Sequence, residues 1–360
     1  MDTTVHDITF DENGICNYCN GFNKRLKDYY AKTENIQKIR DALLSEIKQR
    51  GKGKEYDCIV GVSGGVDSSY ALYLAVKNGL HPLAVHLDNG WNSELATNNI
   101  SNLVNILGVD LFTHVIDWEE YRDLQLSFFK ANVVDIELLM DNAMLALNYQ
   151  MAKKYKVKYI LAGSNVVTEG MQMPPKWAHY KFDARNIKCI HKKFGKIPIK
   201  THPLISSLDR FIYGEIYHIK WIPFLDYFLY NKFKAMEILQ NECDYKPYPY
   251  KHYESVFTRF YQGYILPKKF GYDKRLVHLS ELIISGQITR DEALNLLKTP
   301  PYSDPKNEEQ DRIFVLKKLG FTDESWNTYM RTPEIPHSGY GSEIGVLNFR
   351  RFIRELIKSE

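Results

Sequence analysis

Cysteine is scarce and ill-placed for crosslinking: the chain has five in 360 residues, an odd number at uneven spacing, which does not make a disulfide framework. Neither charge sign is in excess. With 47 Lys and Arg against 44 Asp and Glu the net charge is +3, which excludes the basic field that usually carries nucleic-acid binding. Long hydrophobic runs are missing, since nothing approaches the roughly 18 apolar residues of a membrane span. The start, Met1 to Asp7, lacks a signal-peptide pattern. A cytoplasmic protein with no membrane and no nucleic-acid partner is expected. Apolar residues, by contrast, make up 44% of the chain and tyrosine alone numbers 25, enough to build one large core or two smaller ones.

The most informative stretch is Asp57 to Ser69. Asp57–Val62 suits a short buried strand, and apolar residues recur at helical spacing from Tyr70. Between them lie Ser63, Gly64, Gly65, Val66, Asp67 and Ser68. Adjacent glycines let the backbone turn with positive φ and point successive N–H groups into one concavity at a helix N-terminus, a geometry that accepts an oxyanion. The spacing fits neither a Walker loop, which needs a lysine, nor a dinucleotide fingerprint. It resembles the PP-loop, Ser-Gly-Gly-x-Asp-Ser, of the ATP pyrophosphatases, which cleave ATP between the α and β phosphates.

A βα alternation follows. Pro82–Asp88, Asp110–Ile116 and Lys156–Ala162 read as strands, separated by helical stretches at 98–107, 118–130 and 136–155. This pattern predicts an α/β fold, a parallel sheet with helices on both faces, followed by a mostly helical C-terminal part. Ligands of such sheets bind at the carboxyl ends of the strands. That edge collects Ser63 to Ser68, Asp88 and the loop from Gly163 to Glu169. Asp88 is either a contact to nucleotide or magnesium, or an ordinary turn aspartate; Glu169 either holds magnesium or orients the amide being activated, or is a solvated loop carboxylate.

From Met171 to Pro203 the pattern breaks, and a mobile flap carrying Lys181 and Arg185 is expected. Helices are then expected at 209–221, 227–242, 251–264, 273–285 and 289–298, the last opened by a Thr289–Glu292 capping box. In the 251–264 helix, His252, Ser255, Arg259 and Gln262 form one polar stripe and Val256, Phe260 and Tyr264 an apolar one. With Lys268, Lys269, Lys274, Arg275 and His278 close behind, the stripe reads as a cationic wall for a phosphorylated substrate. Near the start, Cys16 and Cys19 form a C-x-x-C, two of the four ligands that a closed zinc site needs.

Taken together, Phe10 to Cys19, Gly61 to Ser69, Lys251 to Ser255, Thr258 to Gln262 and His278 to Ile283 resemble the N-acetyl sugar amidotransferases of bacterial surface-polysaccharide and flagellar-glycan pathways. The resemblance covers nearly the whole chain. The chain itself reads as three parts: a Cys-containing segment and helix (1–50), a PP-loop ATP-binding domain with flap (51–205), and a helical substrate or partner domain (206–360). The resemblance implies a reaction in which an acetamido group on a sugar becomes acetamidino through adenylylation and attack by ammonia. Asp67, Glu169, Lys251 and Arg259 are then the catalytic candidates. Ser63, Gly64, Gly65, Val66, Asp67, Ser68, Asp88 and Gly163 would hold ATP and magnesium, with Cys16 and Cys19 as candidate zinc ligands. The implied partners are an N-acetylated nucleotide sugar, a glutaminase subunit resembling that of the histidine pathway, and a cyclase-like subunit with an ammonia channel. Two other readings stand beside it: a tRNA sulfurtransferase using Cys58 or Cys189 as sulfur carrier, and a non-catalytic scaffold of a glycan-assembly complex. Near-neutral charge weighs against the first; the intact Ser63, Asp67 and Ser68 weigh against the second.

Overall fold

Five strands pair in parallel in the order β3-β2-β1-β4-β5 in the computed structural model, which describes residues 1–248, 253–302 and 304–345. They are β1 (Cys58–Gly61), β2 (Pro82–Asp88), β3 (Leu111–Val115), β4 (Tyr159–Ala162) and β5 (Lys220–Pro223). The chain order reverses at β1, which lies between β2 and β4. A crevice opens at such a switch point, outside the carboxyl ends of the strands.

Helices α1 (Asn17–Thr33) and α2 (Ile36–Gly51) precede the sheet. Connecting its strands are α3 (Val66–Lys77), α4 (Glu94–Leu107), α5 (Trp118–Ala131), α6 (Leu138–Lys154), α7 (Val166–Glu169), α8 (Ala184–Phe194) and α9 (Ser207–Phe211). After β5 come α10 (Lys232–Cys243), α11 (Val256–Phe260), α12 (Arg275–Ile284), α13 (Arg290–Lys298), α14 (Pro305–Leu319) and α15 (Asp323–Arg331). Strand side chains alternate between faces, so β1 sends Ile59 into one core and Cys58 and Val60 into the other. The first core is built with Leu124 and Phe128 of α5 and Leu139 and Leu147 of α6; the second takes Phe22, Ile47, Leu72, Ile100 and Leu239. The C-terminal helices join these same cores: Phe257, Phe260, Leu316 and Trp326 pack into the first and Val277 into the second. Among the described residues no helix is long and apolar enough to cross a membrane.

Three expectations change. The helix expected over 209–221 is instead the short α9, a π-helical turn (Ile212–Ile216) and the edge strand β5, paired from Tyr159↔Lys220 to Ala162↔Pro223. His218 at φ 52° breaks the helix, and Pro223 is tolerated because an edge position does not need its N–H. The expected 227–242 helix starts at Lys232, where the Asn231 side chain accepts from Lys234 N at 3.0 Å. The 251–264 helix is described only from Val256, capped by Ser255, and from Tyr261 continues as a π-helix to Phe270 around Pro267. Lys251 and His252 lie outside the described residues.

The 171–203 segment is tied down, not a free flap. It contains α8, which packs on α5, and two buried carboxylates of α5 bind its backbone. Asp123 accepts from Lys196 N (2.7 Å) and Ile197 N (2.9 Å), and Glu120 from Thr201 N (2.8 Å) and His202 N (2.8 Å). Lys181 sits between Asp135 (2.7 Å) and Asp141 (2.8 Å). These contacts join positions dozens of residues apart, so loop composition carried no sign of them.

Candidate active site

The loop from Ser63 to Ser68 leaves the carboxyl end of β1 and enters α3. Gly64 sits at φ +84°, and a Cβ there would approach the Ala96 carbonyl oxygen to 2.9 Å; both conditions require glycine. Its hydroxyls brace the loop from within. Ser68 Oγ accepts from Ser63 N at 3.3 Å and donates to the Gly65 carbonyl at 3.2 Å, while Ser63 Oγ accepts from Gly65 N at 3.3 Å. Gly65 is the N-cap of α3 and no side chain caps the helix. The first-turn N–H groups and the positive end of the helix dipole are therefore left to an external anion.

Several residues support this loop from neighbouring strands. Gly163, at the exit of β4, passes so close to α3 that a Cβ would stand 2.6 Å from Ser68 N. His86 of β2 is buried, and burial lowers its pKa and keeps the ring neutral. Its Nδ1 donates to the Val62 carbonyl at 2.9 Å, leaving Nε2 to accept from Asn92 Nδ2 at 2.9 Å. Asp88 lies on the same edge, where its Oδ1 accepts from Gly90 N at 2.8 Å in the turn after β2.

The structure brings Asp67 and Glu169 to one place through Tyr230, whose buried hydroxyl donates to Asp67 Oδ1. Burial first, then the charge of Asp67 and, more weakly, that of Glu169 push the Tyr230 pKa well above its usual value. Glu169 ends α7, which Asn165 caps, and Asp226 Oδ1 accepts from Val166 N at 2.7 Å. From the other side Tyr248 donates to the Gly64 carbonyl at 3.1 Å. Glu254 comes near Gly65, 3.4 Å from where a Cβ would be. Tyr230, Tyr248, Glu254 and Asp226 were not singled out from sequence; nothing in their spacing links them to residue 63.

A cleft of about 170 Å³ opens beside Thr168, lined by Lys232, Tyr253, Arg259, Gln262, Lys274 and His278. The polar stripe does face a cavity, but the cationic wall is largely neutralised in place. Arg259 makes a two-pronged pair with Asp311 (2.5 and 2.6 Å), Lys274 pairs with Glu137 (2.6 Å), Arg275 with Asp273 (2.7 Å) and Lys268 with Glu308. Lys269 donates to the Thr332 carbonyl at 2.6 Å, and burial pulls its pKa down to about 8. His278 lies 3.5 Å from Glu281. Gln262 donates to Glu137 at 3.0 Å.

The zinc expectation is not met by the residues placed here. Cys16 is the N-cap of α1, its sulfur accepting from Cys19 N at 3.3 Å, and burial pushes the Cys19 thiol up to about 11. Among the described residues no group of three or more His, Cys, Asp or Glu is placed to hold a metal ion. Two thiols at a helix start are short of a closed tetrahedral set.

A strand-edge loop of this sequence, seated at an uncapped helix in a parallel sheet, has the form of the PP-loop of ATP pyrophosphatases. Residues 53–172 match the family model described as thiamine biosynthesis protein (ThiI). Residues 254–354 match the family model described as LPS biosynthesis protein WbpG-like, C-terminal domain. No curated protein matches the chain. Among solved structures, it is similar to NMN synthetase from Francisella tularensis, at 16% identity over 84% of this chain and 98% of that one, with a TM-score of 0.36. The NH3-dependent NAD synthetase from Campylobacter jejuni shows 14% identity over 83% of this chain and 98% of that one, at TM-score 0.31. A 4-thiouridine synthetase bound to RNA and ATP shows 19% identity over 48% and 42% of the two chains, at TM-score 0.26.

Proposed function

We propose that this chain is an ATP-dependent amidotransferase, forming AMP and pyrophosphate, that converts the acetamido group of a bacterial sugar into an acetamidino group. One observation carries the reading: the WbpG-like segment is fastened to the rim of the nucleotide loop. Ser93 N donates to the Glu254 carbonyl at 2.9 Å and Val256 N to the Trp91 carbonyl at 2.9 Å, so the cleft lined by that segment opens at the strand edge that carries Ser63 to Ser68.

The chemistry explains why ATP is needed. An amide carbon is a poor electrophile and its oxygen a poor leaving group. Attack of the acetamido oxygen on the α-phosphate expels pyrophosphate and converts that oxygen into part of AMP; ammonia then adds to the carbon, AMP leaves, and loss of protons gives the amidine. The free N–H groups of α3 would hold the departing pyrophosphate, and Asp67 and Glu169 would supply carboxylates for magnesium. Magnesium, when bound, offsets phosphate charge. Catalysis in this scheme is positioning and electrostatic stabilisation. Ammonia would come from a separate glutaminase, docked so that ammonia reaches the cleft without protonation by solvent.

The test is incubation of the purified chain with ATP, magnesium, ammonium and a panel of N-acetylated nucleotide sugars. AMP, pyrophosphate and the mass decrease that replacing a carbonyl oxygen by NH produces are expected together. ADP and phosphate, or AMP without any sugar product, would remove the assignment. The match of residues 53–172 favours a second reading, sulfur transfer to tRNA. Its candidate carriers are Cys58, fully buried in β1 with its pKa raised by burial, and Cys189, partly buried on α8. Retention of tRNA at low salt and incorporation of sulfur would select it.

A further inference from the structure

Resting on the ATP-cleaving reading above, we propose that Tyr230 is a positioning residue for the nucleotide loop. Its hydroxyl pins one oxygen of Asp67 so that the other faces the divalent cation accompanying the nucleotide. The two residues lie 163 positions apart, and no motif of the loop includes a tyrosine.

The segment carrying Tyr230 is fixed on both sides. Phe228 N donates to the Leu225 carbonyl at 3.1 Å, the Asn231 side chain caps α10, and Lys232 N donates to Gln287 Oε1 at 2.9 Å in the turn between α12 and α13. The ring is 6% exposed and lies against Tyr70 at 6.0 Å between centroids. Helix α10, which follows, packs on α3 itself. Thus the hydroxyl reaches Asp67 from a rigid platform. Oδ1 accepts from it; Oδ2 accepts from no group among the described residues.

A hydrogen bond from a neutral hydroxyl to a carboxylate is roughly twice as strong as one between neutral groups. Pinning one oxygen removes rotation of the carboxylate before the cation arrives, which lowers the ordering cost of binding. Lys232, two residues on, lines the cleft beside Thr168. The platform therefore joins the loop to the cleft, and its far end is held by the WbpG-like region through Gln287.

Tyr230→Phe deletes only the hydroxyl. Binding of the non-cleavable analogue α,β-methylene-ATP would be measured by calorimetry over a series of magnesium concentrations, in the full chain and in this variant. We expect the magnesium concentration for half-maximal binding to rise by about tenfold, the worth of one charge-assisted hydrogen bond, while affinity without magnesium and the thermal melt stay the same. In an Asp67→Asn background the Tyr230→Phe step should vanish. An unaltered magnesium dependence, a shift that persists in Asp67→Asn, or loss of the cooperative melt would each overturn the inference, the last by making the hydroxyl purely structural. If the unmodified chain shows no magnesium-dependent binding of the analogue, the ATP reading falls and this inference with it. Binding by the unmodified chain with the same dependence in Tyr230→Phe sinks this inference alone.

Discussion

Gly163 and Ser68 approach so closely that a Cβ on the glycine would stand 2.6 Å from the serine amide nitrogen. The exit of β4 is thereby pressed against the first turn of α3, and the neighbour that would have to move is backbone, not the tip of a flexible side chain. Gly163→Ala should destabilise the fold by about 1–3 kcal/mol through overpacking and displace the loop. The measurable result is a lower melting temperature together with weakened binding of ATP or pyrophosphate; a variant with both properties unchanged would contradict this packing.

Within the loop, Ser63→Ala removes the acceptor for Gly65 N, and Asp67→Asn removes the carboxylate that Tyr230 holds. Both positions are partly exposed at the loop, so the fold should survive. Pyrophosphate release should drop by at least about tenfold in each, the effect of losing one well-made transition-state contact. Near-normal turnover in both would place the chemistry elsewhere.

Arg259 and Asp311 make a mostly buried two-pronged pair, and Tyr302 donates to the same carboxylate at 2.7 Å. Removing one partner leaves the other uncompensated, so Asp311→Ala should cost on the order of 2–4 kcal/mol in denaturant unfolding. A double-mutant cycle with Arg259→Met then tests whether the guanidinium acts chiefly on Asp311: coupling below about 0.5 kcal/mol would show the pair to be independent.

Acid should loosen the fold through His202. Burial, only partly offset by the charge of Glu120, lowers its pKa to about 4, and neither ring nitrogen has a hydrogen-bond partner. The folded state therefore favours the neutral ring, while the unfolded chain takes up a proton near pH 6.5. Its stability contribution is complete above that value and is lost progressively as pH falls towards 4, on the order of 2–3 kcal/mol. His202→Phe keeps a ring against Tyr121 and should flatten this part of the pH–stability curve; an identical acid slope in the variant would assign the proton to another group.

The ammonia source is testable without knowing the partner's structure. The purified chain should turn over with ammonium at mildly alkaline pH, and use glutamine only when a glutaminase subunit is added, with a rate that follows the partner's concentration. Glutamine turnover by the chain alone, abolished by alkylating one cysteine, would reveal a glutaminase activity within it.

Local chemistry was enough to determine much of this protein. Strands β1 to β4 follow from short apolar runs, the loop from Ser63 to Ser68 from its glycines and hydroxyls, and the start of α13 from Thr289 and Glu292, whose reciprocal bonds measure 3.2 and 2.7 Å. Each of these depends on neighbours within a few residues, and their common strand edge follows from parallel topology. Four other features were decided only in the folded molecule. Lys220–Pro223 became a strand because β4 offered it an edge. The segment after Met171 is held by Glu120 and Asp123, inward-facing acids of a helix whose face is set by packing. The cationic stripe acquired its counter-ions from Glu137 and Asp311, and Asp67 acquired Tyr230. Periodicity reports what a residue does to its own turn or strand; which distant charge or hydroxyl it meets is fixed by how the elements pack.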